Sequence, residues 1–189
     1  MIDISKYLEN FSLEKENTLF DEVTKTRIEY YQYNNLSIPK YINEYWTAKQ
    51  RQSNSIHEIS YRACFKAQLP RFFIELLTNE NDIVYDPFSG RGTTALEAAL
   101  LNRRFIANDI NPLSEILLKP RVQPPTLIEI AKRLKEIDLD KEIEHDIDLT
   151  MFYHERTLKE ILNLRDYLKI KNQLKTEDYI DDWIRMVAT

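Results

Sequence analysis

The use of glycine is the feature of this sequence that most constrains its fold. Average usage would give roughly 13 glycines in a chain of this length, but the 189 residues contain two, Gly90 and Gly92. A strand candidate, Ile83 to Tyr85, precedes them, and a helix candidate, Thr93 to Leu101, follows. Because glycine permits sharp turns and close backbone approach, the chain concentrates that freedom in one strand-to-helix turn.

The segment around these glycines predicts a βαβ unit. After the first strand and the helix, Arg104 to Asn108 reads as a second strand, and Asp109 follows it directly. The helix carries small residues that would let it lie close to a sheet, namely Ala95, Ala98 and Ala99. The order strand, glycine loop, helix, strand is typical of an α/β fold.

Weaker patterns precede this unit. Residues 1–55 are polar and contain aromatic residues, and their periodicity is interrupted at Asn34, Asn35 and Pro39, so we expect an N-terminal arm with some helix. Phe65 to Leu77 predicts a helix with Pro70 in its first turn. We expect a sheet to cover its apolar stripe, which consists of Phe72, Phe73, Leu76 and Leu77.

Helical patterns follow the unit. The stretch Lys119 to Pro125 contains three prolines, which predicts a break and a boundary there. Thr126 and Glu129 form a capping-box pattern at the start of a helix, and two further helices are expected around Leu158 to Leu168 and Tyr179 to Val187. The predicted domains are an N-terminal arm at 1–55, a βαβ core at 56–125 and a helical segment at 126–189.

Composition argues against several classes of protein. Hydrophobic residues make up 43% of the chain, so we expect a folded core. The single cysteine, Cys64, rules out an internal disulfide, and the N-terminus does not resemble a secretion signal, so a cytoplasmic location without a membrane anchor is expected. The three scattered histidines lack metal-site spacing, so we expect no metal and only solvated or capping roles for His57, His145 and His154.

The glycine loop and Asp109 together suggest a ligand. Glycine backbone and a helix N-terminus favour an anionic group such as a carboxylate, and Asp86 at the strand end can accept from an ammonium group. Asp109 lies 17 residues after Gly92, where a carboxylate can accept from ribose hydroxyls, and Ile110 could pack on adenine. These features suit an adenosyl amino acid, although Gly90 to Ala95 also fits a dinucleotide pattern.

Two segments resemble motifs of the amino-group DNA methyltransferases, which modify adenine N6 or cytosine N4. Asp86 to Thr94 resembles the first motif of that family, and Phe65 to Leu77 resembles the tenth. The resemblance covers about residues 45–118 and implies S-adenosylmethionine as cofactor and DNA as substrate, as in restriction-modification. Within it, Phe65 to Ile74 is similar to cytosine-N4 enzymes, which slightly favours that base amine.

The resemblance also implies which residues bind the cofactor. Phe65 and Lys66 would border its pocket, although Phe65 would equally suit ordinary core packing. Asp109 and Ile110 would hold the nucleoside. The methionine side would be held by Asp86, Pro87, Phe88, Gly90, Gly92, Thr93 and Thr94.

One motif of the family is missing. These enzymes hold the target amine with Asp, Asn or Ser followed by Pro-Pro and an aromatic residue, and the chain contains no such tetrapeptide. Pro124 and Pro125 are followed by Thr126, and we interpret them as a linker. The acidic net charge of −5 is the opposite of a DNA-gripping surface. We therefore expect an incomplete Rossmann-like domain that is inactive without a missing C-terminal half or a complementing subunit.

Three other functions remain open from the sequence. An RNA base methyltransferase could use a similar glycine loop. A dinucleotide-binding oxidoreductase should bind NAD and ignore S-adenosylmethionine. A non-catalytic cofactor-binding subunit would bind the cofactor and stay inactive with every partner.

Overall fold

The computed structural model describes residues 3–13, 25–46, 54–59, 61–62, 64–142 and 149–189. They divide into two units that we describe separately. The first unit contains the chain up to Asp86 together with Thr93–Ile106, and the second contains Pro87–Gly92 and Ala107–Thr189. The three-domain division predicted from the sequence stays a prediction.

The N-terminal part of the first unit contains a short helix and a β-hairpin. Helix α1, Ile4–Glu9, is capped by the Asp3 side chain, which agrees with the expected helix in this arm. Strands β1, Arg27–Tyr33, and β2, Leu36–Ile42, pair antiparallel. The sequence did not predict this hairpin, because Asn34 and Asn35 were interpreted as interruptions. Asn34 has φ 53°, a left-handed conformation that asparagine tolerates, so the pair forms the turn.

Helix α2, Gln68–Leu77, confirms the helix predicted before the glycines, with Pro70 in its first turn. The predicted apolar stripe is only partly correct. Pro70 and Ile74 are the buried residues, whereas Phe73 and Leu77 are 44% and 56% exposed. Phe72 joins a cluster of aromatic rings instead, with centroid distances of 5.3 to 6.4 Å to Tyr7, Phe11, Tyr45 and Trp46. A one-turn 3-10 helix, Ser55–His57, precedes α2 in the chain.

The βαβ unit is confirmed as strand β3, Ile83–Asp86, helix α3, Thr93–Leu100, and strand β4, Arg104–Ala107. The two strands pair in one sheet, and successive backbone bonds advance in the same direction on both segments, which makes the strands parallel. Ala95 and Ala98 on α3 are 1% and 0% exposed, so these small side chains allow the close packing that was expected.

These elements confirm a mixed α/β protein. The described residues contain two sheets of two strands each. A Rossmann-like domain has a larger parallel sheet with helices on both faces, so the Rossmann-like assignment stays a prediction. No helix in the described part of the chain is both long and apolar enough to cross a membrane.

The second unit contains four helices in its described residues: α4, Leu113–Val122, α5, Leu127–Glu136, α6, Glu155–Leu174, and α7, Tyr179–Ala188. The last three confirm the helical patterns, and α5 has the predicted capping box between Thr126 and Glu129. The break predicted from Lys119 was wrong, because α4 continues through Pro120 and ends at Val122. The ring of Pro120 is fully buried, so packing outweighs the hydrogen bond that proline removes from a helix.

A buried ionic network joins three of these helices. Arg133 on α5 pairs with Asp178, at 2.7 Å, and with Asp181 on α7, whose side chain is fully buried. The Tyr167 hydroxyl on α6 donates to Asp181 at 2.8 Å. The Asp178 hydrogen bonds raise the pKa of Arg133, and the same contact lowers the pKa of Asp178 to about 2. A buried carboxylate is stable only with such partners, so the network determines how α5, α6 and α7 pack.

Candidate functional site

The glycine loop closes on the acid that follows the second strand, within the second unit. The Gly90 N–H donates to Oδ2 of Asp109 at 2.7 Å, and the Asn111 N–H donates to Oδ1 at 2.9 Å. Both carboxylate oxygens are therefore held by the main chain. The structure brings together two features, the loop and the acid, that the sequence separates by 19 residues.

These hydrogen bonds favour the ionised form of Asp109. The N–H of Asn111 and then that of Gly90 lower the pKa of the carboxyl, because hydrogen bonds to a carboxylate stabilise its charge. Besides these two backbone bonds, the Ser114 side chain and the Ile110 N–H also contribute to lowering this pKa, so groups of the protein hold the carboxylate on several sides. Asp109 thus has a second role, which the sequence did not indicate: it shapes the loop.

The main chain of the loop is mostly satisfied within the protein. The Ser89 N–H donates to the Asn108 carbonyl at 2.9 Å and the Gly92 N–H donates to the Ser89 carbonyl at 2.7 Å, in addition to the bond from Gly90. The sequence-based interpretation assumed that the loop would offer its N–H groups to a ligand. Three of them, those of Ser89, Gly90 and Gly92, are already used within the protein, so the loop is a preorganised turn.

Gly92 is required by packing inside the protein. Its φ is 85°, in the region that favours glycine. A Cβ atom at this position would lie 2.5 Å from Cδ1 of Leu118 on α4, which is far inside van der Waals contact. The close contact with the Leu118 side chain is a reason for this glycine within the protein itself, and the close approach of a ligand to Gly92 stays a prediction.

Two apolar side chains beside this turn are open to solvent. Phe88 is 85% exposed and Ile110 is 100% exposed, and they belong to the loop and to the residue after Asp109. They therefore place exposed apolar surface close in sequence to the Asp109 carboxylate. Their contact with an adenosyl group stays a prediction. Pro87 is half-buried in the same loop.

The other residues predicted to bind the cofactor belong to the first unit. Asp86 ends β3 and is half-buried, Thr93 begins α3 and is 3% exposed, and Thr94 is half-buried. Phe65 is 43% exposed and Lys66 is exposed. Ordinary core packing, the alternative considered for Phe65, does not describe a side chain with that exposure. The roles of these five residues stay predictions.

The sequence analysis missed a buried polar network in the first unit. Nε2 of His57 lies 2.7 Å from Oε1 of Glu97 on α3, and their side chains are 2% and 3% exposed. Arg71 on α2 reaches the other carboxylate oxygen at 3.4 Å. The solvated or capping role expected for His57 was therefore wrong. One signal was present in the sequence, since Glu97 is the one charged residue of the helix Thr93–Leu100 and stands among its alanines.

A second missed residue, Arg121, lies on α4 and is 2% exposed. Its guanidinium donates to the carbonyl of Arg91 in the glycine loop. The sequence contained no visible signal for this contact, because the prolines around Arg121 were interpreted as a break. No group of three His, Cys, Asp or Glu among the described residues could hold a metal ion.

An open cavity of about 600 Å³ also lies in the second unit. Its walls come mainly from α6 and α7 and include Leu164, Arg165, Leu168 and Arg185. None of the residues predicted to bind the cofactor lines it. The candidate site is therefore the glycine loop, where the structure joins two features predicted from the sequence, the loop and Asp109.

Comparison with known families identifies the family to which the chain belongs. The sequence model of the N6/N4 family, described as DNA methylase, matches residues 3–116, which is more than half of the chain and includes the glycine loop and Asp109. The chain belongs to this family of DNA methylases. The resemblance found in the motifs is thereby confirmed.

Individual relatives are methyltransferases by name. The chain is 36% identical over 121 residues to the Type II methyltransferase M.MvaI of Kocuria varians, a match that covers 62% of this chain and 25% of the relative. It is 42% identical over 62 residues to the orphan methyltransferase M.BamHII of Bacillus amyloliquefaciens, a match that covers 32% of this chain and 23% of the relative. It is 51% identical over 43 residues to the Type II methyltransferase M.HindIII of Haemophilus influenzae, a match that covers 23% of this chain and 14% of the relative.

The matches therefore span a quarter or less of the length of these relatives. No solved structure matches the chain.

Proposed function

We propose that this chain binds S-adenosylmethionine and forms the cofactor-binding part of a DNA methyltransferase that modifies an exocyclic base amine. The observation that carries the proposal is the hydrogen bond from the Gly90 N–H to Asp109. It joins a preorganised glycine turn to an ionised acid, and the membership of the chain in the DNA methylase family supports the assignment of both to the cofactor.

In this proposal each part of the site has one task. Asp109 accepts hydrogen bonds from the ribose hydroxyls, and its charge is maintained by the Asn111 and Gly90 N–H groups. The exposed side chain of Ile110 packs against the adenine. The glycine loop receives the amino-acid end. When bound, S-adenosylmethionine supplies an activated methyl group, so the task of the protein is to bind and orient it.

We further propose cytosine N4 as the modified amine, in preference to adenine N6. The support for cytosine N4 is the similarity of the segment Phe65 to Ile74 to cytosine-N4 enzymes. Separately, the Type II methyltransferases among the relatives support a role in restriction-modification with DNA as the partner. The need for a C-terminal half or a complementing subunit stays a prediction, motivated by the base-holding tetrapeptide that the 189 residues lack.

Isothermal titration with three ligands tests the proposal. S-adenosylmethionine and S-adenosylhomocysteine should bind with one site each, and NAD should give no heat of binding. Binding of NAD without S-adenosylmethionine would overturn the proposal in favour of a dinucleotide enzyme. If none of the three ligands binds the folded chain, the assignment of the loop to a cofactor is wrong.

A further inference from the structure

The guanidinium of Arg121 is a buried charge directly behind the glycine loop. Its Nε donates to the carbonyl of Leu117 one turn earlier on α4, at 2.6 Å, and another of its nitrogens donates to the carbonyl of Arg91. Arg91 stands between the two glycines. Burying the Arg121 cation costs free energy, because an ionised group loses its hydration when it is buried. Its contact with the Arg91 carbonyl, which is distant in sequence, is therefore not a chance one.

The peptide group that joins Arg91 to Gly92 is held at both ends. Arg121 binds its oxygen, and its N–H donates to the Ser89 carbonyl at 2.7 Å. Leu118, on the same helix as Arg121, fills the space beside Gly92. Helix α4 thus supports two consecutive loop residues through two neighbouring groups, one ionic and one apolar.

The charge is present at neutral pH. Burial, together with the nearby charge of Arg91, lowers the pKa of Arg121 to about 10, which still leaves the side chain protonated at pH 7. Because a charge in a poorly solvated place is weakly screened, it acts on groups bound at the loop more strongly than an exposed arginine would. Three loop N–H groups are already used inside the protein, and the buried Arg121 cation, together with Arg91 in the loop, adds positive potential for an anionic ligand group.

We propose that Arg121 is a positioning residue that holds the Arg91–Gly92 peptide in place and makes the loop selective for ligands that carry the amino-acid carboxylate. This inference rests on the proposed function of the loop as the cofactor site. It assigns specificity to a residue of α4, outside the sequence segment that resembles the first motif.

The test compares two ligands that differ only at the amino-acid end. S-adenosylhomocysteine carries the amino-acid end with its carboxylate and its ammonium group, whereas 5′-methylthioadenosine has the same nucleoside and sulfur with a methyl group in its place. Their dissociation constants are measured by titration calorimetry for the wild-type chain and for Arg121→Gln. We expect Arg121→Gln to weaken S-adenosylhomocysteine by about tenfold or more, as for loss of a charge-assisted contact, and 5′-methylthioadenosine by less than about twofold.

Two further variants separate position from folding. Arg121→Lys keeps the positive charge but not the planar guanidinium group. We expect this variant to retain part of the selectivity for S-adenosylhomocysteine, and it allows the measurement even if Arg121→Gln folds poorly. Lys119→Gln removes an exposed cation two residues away, which pairs with Asp182 at 2.9 Å, and it should leave the ratio of the two constants unchanged.

Each outcome decides the inference. Equal weakening of both ligands in Arg121→Gln and Arg121→Lys, or no weakening of either, would show that Arg121 has no part in selectivity. If the wild-type chain binds neither ligand, the proposed function fails instead. If the wild-type chain binds both ligands and Arg121→Gln alters the ratio of their dissociation constants, the result supports both the proposed function and the role of Arg121.

Discussion

His57 and Glu97, which are 40 residues apart in sequence, meet through a 2.7 Å contact in the buried part of the first unit. This pair ties the segment before α2 to the helix that follows the glycine loop. Arg71 reaches the same carboxylate from a more exposed position. The three residues connect a one-turn helix, α2 and α3 through a single acid.

We predict that Glu97→Ala destabilises the chain by about 1.5–3 kcal/mol, since it removes a hydrogen-bond partner from a buried polar group. The free energy of unfolding, measured by urea denaturation, checks this. Glu75→Ala is the matched control, because Glu75 pairs with the same Arg71 at 3.0 Å but its side chain is 50% exposed. That variant should lose less than about 1 kcal/mol. Equal losses of unfolding free energy in Glu97→Ala and Glu75→Ala would contradict a larger contribution from the buried pair.

The second prediction concerns acid stability. Arg133 lowers the pKa of Asp178 from 3.8 to about 2. A carboxyl with a depressed pKa in the folded state stabilises the protein above its unfolded pKa, and this contribution disappears as the pH falls through the folded value.

The stability advantage of the wild-type chain over Asp178→Asn should therefore shrink between about pH 4 and pH 2. Denaturation midpoints at several pH values in this range would show it. Solvent screening reduces the effect, because the Asp178 side chain is 41% exposed. Asp140→Asn, at an exposed position of the same unit, is the control. A difference that stays constant with pH would contradict the assignment.

The third prediction uses the contact between Gly92 and Leu118. Gly92→Ala introduces a Cβ that would lie 2.5 Å from the Leu118 side chain at a φ of 85°, so we expect a loss of about 1–3 kcal/mol of stability from backbone strain alone and further loss from the clash. Leu118→Ala removes the two closest atoms, Cδ1 at 2.5 Å and Cγ at 3.0 Å, and leaves the Cβ at 3.1 Å. The double variant should therefore be less destabilised than the sum of the two single variants, and additive losses would argue against the clash.

The fourth prediction concerns the ligand. Asp109→Ala should weaken S-adenosylhomocysteine at least about tenfold, because the variant loses both an acceptor for the ribose and the anchor of Gly90. Titration calorimetry measures this. Asp138→Ala is a suitable control, since the Asp138 carboxylate also accepts a main-chain N–H, from Asp140 at 3.1 Å, and does not belong to the site. Unchanged affinity in folded Asp109→Ala would remove this residue from the binding site.

Local patterns predicted those elements whose signals lie within a few residues. The capping box at Thr126 and the periodicity of the last two helices were correctly read because caps and helical faces depend on neighbours three or four positions away. The same holds for the strand, glycine loop and helix around Gly90. The sequence did not predict the hairpin turn at Asn34 or the helix through Pro120. Asparagine and proline usually interrupt regular structure, but here Asn34 forms the turn between two paired strands and Pro120 is buried within a helix.

The sequence by itself determined the turn at the glycine loop and which acid follows the second strand, since these depend on backbone preferences of individual residues such as Gly90 and on the order of residues along the chain. Only the tertiary structure decided which charged side chains are buried. Arg121 contacts the carbonyl of a residue 30 positions earlier, and Asp181 contacts an arginine 48 positions earlier. Charge burial is favourable only when a partner arrives from elsewhere in the fold, and no local pattern records that partner.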